Sequence, residues 1–378
     1  MRPVLIRRVA TLGAIVALTV LGTGGLAHAA ALPRADRQFV DATVAQAMQS
    51  GRLPGVTIKL SGPKGSYEKT YGVADVASNR PIAVADHVRI ASITKTFTAT
   101  AVLRQVQRGR LSLSDKLARW VKGIPNGRRI SVRQLLAMRS GIYDFTSDAA
   151  FNQEFRRQST DVVQAQRHHP DHPAAQALFE PGARTQYADS NYVLLGIILE
   201  RVTGRSVESV ITRDVIDRAG LRQTSFPTKP ALPRPFSHGY YAGPDGDGEI
   251  RDYTAVNPKV AWTAGGMVST LDDLKKWGKA LATGTLINRR LQAQRLRFGT
   301  IPNAGGPPVG YGLGILRFGD WLGHDGAIFG FSTATFYERS SGAQIVAIAN
   351  LSSNFSTPTL EIFGAIAQHL YPESLEAG

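Results

Sequence analysis

Three short groups carry residue types that perform nucleophilic chemistry when a fold brings them together: Ser92-Ile93-Thr94-Lys95, Tyr187-Ala188-Asp189 and His324-Asp325-Gly326. A Ser and a Lys three apart share one helix face with their Cβ atoms roughly 5–6 Å apart, so the amine reaches the hydroxyl. That is a hydroxyl nucleophile with its base alongside. The chain has three S-x-x-K matches, and two of them, from Ser61 and Ser66, fall around the Gly62-Pro63-Lys64-Gly65 turn between strand-like runs 56–60 and 67–73. Ser92 differs. It ends the strand-like Val88-Arg89-Ile90-Ala91 and opens a helix whose apolar face holds Phe97, Ala101 and Val102, with Gly109 as its stop. A helix N-terminus offers unpaired N–H groups and a positive dipole end, which favour the oxyanion of acyl transfer. The ordinary alternative for a Ser there is a helix N-cap.

Tyr187 is the only tyrosine with Asn or Asp two residues later, and it stands on a loop leading into an apolar helix. A phenol between Ser and Lys can relay a proton to the leaving group. His324-Asp325-Gly326 is the only H-x-G. It is expected on an edge strand, whose unpaired N–H groups bind extended substrate and complete an oxyanion hole with the Ser92 amide. To act as base the lysine must shed its proton. Lowering a lysine from about 10.4 to about 7–8 costs on the order of 4 kcal/mol. Walls from Phe97, Tyr143 and Tyr187, with basic neighbours, are the expected source.

The elements that must hold these groups come from both chain ends. A helix over 35–48 and two strands around the 61–66 turn stand near the N-terminus. Strand-like runs 312–317, 332–337 and 344–349 and a helix over 358–370, opened by Pro358, stand near the C-terminus. The pattern predicts an α+β fold: an antiparallel sheet of five or more strands flanked by helices, interrupted by a mainly helical insertion. The expected boundaries are an α/β part of 30–92 plus 256–372, with the insertion at 93–255, all in one unit over 30–378.

Residues 1–29 read as a secretory leader, with Arg2, Arg7 and Arg8, an apolar run and Ala27-His28-Ala29. The expected location is therefore secreted, extracellular or cell-wall associated, with no stable membrane span after cleavage; the alternative for this segment is an uncleaved membrane anchor. The formal charge is +15, from 44 Lys+Arg against 29 Asp+Glu. The basic residues are scattered and not interleaved with aromatics, so a nucleic-acid partner is not expected. With no Cys, disulfide and thiol chemistry are excluded. Prolines 170 and 173 break up the histidines of 167–173, and a calcium-like loop from Asp245 has Val256 at its twelfth position, so no metal is expected. No cofactor is expected either, and the chain is expected to be a monomer.

These motifs, with Arg139-Ser140-Gly141-Ile142-Tyr143-Asp144, Ser190-Asn191-Tyr192, Ala264-Gly265-Gly266-Met267 and Tyr311-Gly312-Leu313-Gly314, resemble the serine penicillin-recognising hydrolases. These are the β-lactamase-like enzymes and penicillin-binding proteins, and the similarity is greatest to the secreted D-alanyl-D-alanine carboxypeptidases. The resemblance implies Ser92 as acylated nucleophile, Lys95 as base, Tyr187 as relay and His324 on the strand lining the site. It also implies the Ser92 and Ala327 amides as oxyanion donors, Trp262 as a cleft wall, and Arg317 near the position of the family's carboxylate-binding arginine. Two carboxylates depart from the pattern. Asp189 stands where an Asn usually does, and an ionised Asp only accepts hydrogen bonds. Asp325 and Ala327 replace the hydroxyl residues that hold a substrate carboxylate. The expected function is a serine acyl-enzyme hydrolase acting on a peptide or small acyl substrate of the cell envelope, first as a D-Ala-D-Ala carboxypeptidase. An esterase or amidase, a β-lactamase, and a non-catalytic β-lactam or envelope binder are the alternatives, and the two aspartates point toward neutral or cationic acyl donors.

Overall fold

The computed structural model describes residues 30–147, 177–242, 249–301, 309–353 and 357–376. The leader, the histidine-rich loop 167–173 and the acidic loop 243–248 lie outside the described residues. The strands, in chain order, are β1 (Gly55–Gly62), β2 (Gly65–Asp75), β3 (Arg80–Pro81), β4 (Val88–Arg89), β5 (Tyr240–Ala242), β6 (Ile250–Asp252) and β7 (Val268–Ser269). They continue with β8 (Gly299–Ile301), β9 (Val309–Tyr311), β10 (Leu316–Phe318), β11 (Trp321–Ile328), β12 (Phe331–Glu338), β13 (Gln344–Ala349) and β14 (Leu351–Ser352).

Nine strands form one sheet in the order β3-β2-β1-β13-β12-β11-β10-β9-β8, with every neighbouring pair antiparallel. The expected joining of the two chain ends happens at β1 and β13, where Val56 faces Ala349 and Ser61 faces Gln344. The 61–66 turn is the tip of the β1–β2 hairpin, closed by Gly62 opposite Gly65. Much of the run expected as a strand over 312–317 is instead a turn, and β10 begins only at Leu316.

Helix α1 (Arg34–Gly51) and the Pro358–Leu370 helix cover one face of the sheet. Phe363 stacks on Phe336 at 4.2 Å and meets Trp321 edge-on. Full burial of each such side chain contributes roughly 1.5–3 kcal/mol. On the other face the Leu271–Thr283 helix buries Leu274, Trp277 and Leu281. Gly278 lets it close on β12, because a Cβ there would stand 2.6 Å from Thr335 Oγ1.

Helix α2 (Thr94–Gln107) runs through the interior with nearly all of its residues buried. Trp277 clamps it, stacking on Phe97 at 4.0 Å and donating from Nε1 to Thr96 Oγ1 at 2.7 Å. The segment expected as helical insertion contains the Ser190–Thr203 helix, and also β5 and β6, which pair with each other, β5 pairing in turn with β14 from the C-terminal part. Among the described residues no helix is long and apolar enough to cross a membrane.

Candidate active site

Ser92 stands in a single 3₁₀ turn, Ala91–Ile93, between β4 and α2. Three ties fix that turn: β4 pairs with β7, Thr333 Oγ1 donates to Ile90 O at 3.1 Å, and the Met267 amide donates to Thr94 Oγ1 at 3.1 Å. Ala91 has φ 47°, a left-handed conformation that costs a non-glycine residue energy and persists only where packing imposes it. The Ser92 hydroxyl makes no helix-cap bond, which removes the N-cap reading.

Lys95, one turn later, has no exposed surface. Its Nζ donates to Ser92 Oγ at 2.8 Å and to Ala264 O at 2.8 Å, and it pairs with Asp189 Oδ1. Three donors thus meet three acceptors, so the amine has one orientation. The rings of Tyr187 and Tyr192 flank it, 4.9 and 6.0 Å from Nζ. The walls expected from Phe97 and Tyr143 are not there. Phe97 is turned to Trp277, and Tyr143 is not among the cleft-lining residues. Nor are the lysine's neighbours basic, since its direct ionic partner is a carboxylate.

The Tyr187 side chain hydrogen-bonds to Ser92. Burial, reinforced by Asp189, pushes its phenol well above the usual tyrosine range despite the opposing Ser92 bond. The phenol therefore keeps its proton and suits delivery to a leaving group better than abstraction. Asn191 Nδ2 donates to Ala188 O at 3.0 Å and holds the Tyr187–Asp189 loop on the start of its helix.

Strand β11 is not a simple sheet edge. β12 pairs along its whole length, whereas β10 pairs only with Trp321, Leu322 and Gly323. Asp325, Gly326 and Ala327, past the end of β10, line the cleft beside Ser92. Gly326 makes that approach possible, since a Cβ would lie 2.7 Å from Ile90 O and 2.8 Å from the Ser92 nitrogen. His324 is 1% exposed and lies behind the lining. Burial, and then the Lys95 charge, lower its imidazole to about 3, so the ring is neutral. Nδ1 faces Asp325 O at 2.6 Å and Nε2 faces Tyr311 Oη at 3.4 Å.

Two expected residues are elsewhere. Trp262 does not wall the cleft; its Nε1 donates to Glu208 Oε1 at 2.9 Å and its ring packs over Gly196, leaving Ala261, Ala264 and Gly265 as lining. Arg317 is also outside. It is not among the cleft-lining residues, and its guanidinium covers Phe298 at 4.9 Å.

Asp144 is the residue that sequence reasoning missed. Its Oδ1 accepts the Asp189 and Thr146 amides at 3.1 and 3.2 Å, and its carboxyl lines the cleft. Ser190 places it by bonding both Tyr143 O and the Phe145 amide. Burial and the nearby Asp189 push its carboxyl up. Burial raises Asp325 likewise, to about 6. The cavity of about 530 Å³ is otherwise mostly apolar, with Val260, Ile301, Val309, Leu316 and Leu360 on its wall. Asp144, Asp189 and Asp325 are its only charged lining residues among those described.

A buried Ser–x–x–Lys pair with a bonded tyrosine, set between an antiparallel sheet and a helical region, defines a serine acyl-transfer hydrolase. The Beta-lactamase family model matches residues 40–368, and the chain belongs to that family. The protein flp of Staphylococcus aureus (strain MW2) is 27% identical over 343 residues, which are 86% of this chain and 65% of that protein. The chain thus spans about 65% of the length of the curated relatives it matches first. A D-stereospecific amidohydrolase from a Streptomyces species has a similar structure, with a TM-score of 0.73 and 28% identity over 88% of this chain and 98% of the other. The D-amino acid amidase of Ochrobactrum anthropi SV3, in complex with D-phenylalanine, has a TM-score of 0.75 and 25% identity, covering 90% and 99% of the two chains.

Proposed function

We propose that this serine hydrolase cleaves amides and esters of amino acids through an acyl-enzyme on Ser92, and selects acyl donors that bring an ammonium group or no charge into the cleft. The observation that carries the reading is the charge of the lining: three carboxylates and no Lys, Arg or His among the described residues. A substrate carboxylate 4 Å from one of these would be repelled by about 4 kcal/mol at the effective dielectric of a protein surface. An ammonium would be attracted. The similarity to a D-stereospecific amidohydrolase and a D-amino acid amidase supports this choice.

In the proposed reaction Ser92 Oγ bonds to the substrate carbonyl carbon while its proton moves to Lys95 Nζ, 2.8 Å away. Nζ accepts it as the free amine. The amides of Ser92 and Ala327 hold the oxyanion. Tyr187 passes its proton to the departing amine or alcohol and regains one from the Lys95 ammonium; water then adds to the acyl carbon, its proton passing through the same groups to Ser92 Oγ as the acid leaves.

The D-Ala-D-Ala carboxypeptidase reading ranks second, because it needs a cation for the terminal carboxylate and Arg317 faces Phe298 instead. We propose also that the protein works outside the cytoplasm, on the strength of the leader-like residues 1–29. The test compares kcat/KM for D- and L-phenylalanine p-nitroanilide, their N-acetyl forms and a D-Ala-D-Ala-terminated peptide. The expected result is at least about tenfold preference for a free-ammonium anilide over the peptide, a difference of about 1.4 kcal/mol. Faster release of D-Ala from the peptide would overturn the reading.

A further inference from the structure

At the end of α2 remote from Ser92, about 20 Å away at a rise of about 1.5 Å per residue, lies a second cavity, of about 480 Å³. Its described wall is Arg108, Arg110, Thr203, Arg205 and Arg213. Two of these guanidinium groups are held by a carboxylate from the interior. Asp214, 1% exposed, accepts from Arg108 Nη2 at 3.0 Å and from Arg213 Nε at 3.0 Å, with further bonds from Arg108 Nη1, Arg213 Nη2 and Gln105 Nε2. Asp214 sits on a π-helical turn, Thr212–Ile216, a rare distortion found often at functional sites.

A purely structural role for this network explains Arg108 and Arg213. It leaves Arg110 and Arg205 unexplained, because both are exposed and neither has an ion-pair partner among the described residues. Four arginines against one aspartate leave three positive charges. The C-terminal ends of α2 and of the Ser190–Thr203 helix each return about half a negative charge, which leaves about two positive charges around an open cavity. Guanidinium forks match phosphate oxygens in pairs. A single phosphate would leave part of the cavity and its charge unmatched.

We propose that this cavity binds a phosphate-bearing polyanion, at a site separate from the hydrolytic cleft and independent of the substrate reading above. Calorimetric titration of the full chain with tripolyphosphate is expected to give saturable binding, at least about tenfold tighter than inorganic phosphate. The variant Arg110→Gln/Arg205→Gln, which leaves Asp214 and its partners untouched, should weaken it at least about tenfold. The variant Arg289→Gln/Arg290→Gln, which removes the same charge elsewhere, should leave it unchanged. Soluble poly(glycerol phosphate) and phosphatidylglycerol vesicles then distinguish a polymer strand from a membrane headgroup as the source of the phosphate. Equal weakening by the two double variants, or an absence of saturable binding to tripolyphosphate, would overturn the proposal.

Discussion

Buried Lys95 and half-buried Asp189 form an ion pair beside Ser92, with the Lys95 Nζ also 2.8 Å from Ser92 Oγ. An Asn amide at residue 189 would offer a donor to the substrate and no charge to the lysine. The carboxylate does the reverse: it accepts from Nζ and turns a negative potential toward the cleft. Asp325 adds a second carboxyl from β11, raised by burial to about 6, and Asp144 a third, raised by burial and Asp189 to about 7.

The double variant Asp189→Asn/Asp325→Thr should therefore shift specificity. Release of D-Ala from a D-Ala-D-Ala-terminated peptide is expected to rise at least about tenfold in kcat/KM relative to a free-ammonium anilide, about 1.4 kcal/mol of discrimination. An unchanged ratio would mean that these carboxylates do not face the bound substrate.

Much of the candidate site was legible in the sequence because its geometry is local. Ser92 and Lys95 are one helical turn apart, and Tyr187 and Asp189 share a loop tied to the helix that follows. Residues whose direction depends on distant packing were not legible. Arg317 lies over Phe298, and Trp262 turns to Glu208, which is 54 positions away in the chain. Asp144 reaches the site only because Ser190 stitches its loop to the head of a helix 45 positions later. The sheet was foreseen as two strands plus three. The short strands β8 and β9 were missed, and β10 was placed four residues too early, because three residues carry no periodic pattern.

Arg317→Ala should change KM for peptide and anilide substrates by less than about threefold, since its guanidinium lies over Phe298. A much larger rise in KM for carboxylate-bearing substrates alone would place Arg317 in the cleft after all.

Gly326→Ala introduces a Cβ 2.7 Å from Ile90 O and 2.8 Å from the Ser92 nitrogen. Either the strand or the turn must move. A displacement near 1 Å costs about 10²-fold in catalysis, and overpacking typically costs about 1–3 kcal/mol in stability. Steady-state kinetics with thermal melting should report a kcat loss of that order in a protein that still folds; wild-type kcat would show that this contact is not maintained.

The acid limb of the activity is expected to depend on the substrate's charge. Burial raises Asp325 to about 6, so this carboxyl is neutral below that pH and negative above it. kcat/KM for a cationic anilide should fall as pH drops through 6 more steeply than for its N-acetyl form, and Asp325→Asn should reduce that difference in slope, the remainder belonging to Asp144, whose carboxyl burial also raises. Parallel profiles in the wild type would contradict the assignment.

His324 and Asp325 should oppose one another in stability. With its folded value lowered to about 3, His324 leaves the unfolded chain alone to bind a proton below about 6.5, so its contribution to stability is lost as pH falls from there toward 3. Asp325, raised to about 6, binds a proton in the fold where the unfolded carboxylate has lost it, so its contribution is lost as pH rises from about 4 toward 6. Melting curves of His324→Gln between pH 6 and 4 should show less acid destabilisation than the wild type; an equal or steeper loss would contradict a neutral buried imidazole.

The most direct measurement is rapid-quench mass spectrometry of the protein during turnover of a D-phenylalanine p-nitrophenyl ester. The expected result is a transient acyl mass on the peptide containing Ser92 that is lost in Ser92→Ala together with turnover. Acylation at another residue, or wild-type turnover by Ser92→Ala, would contradict the assignment of Ser92 as the nucleophile.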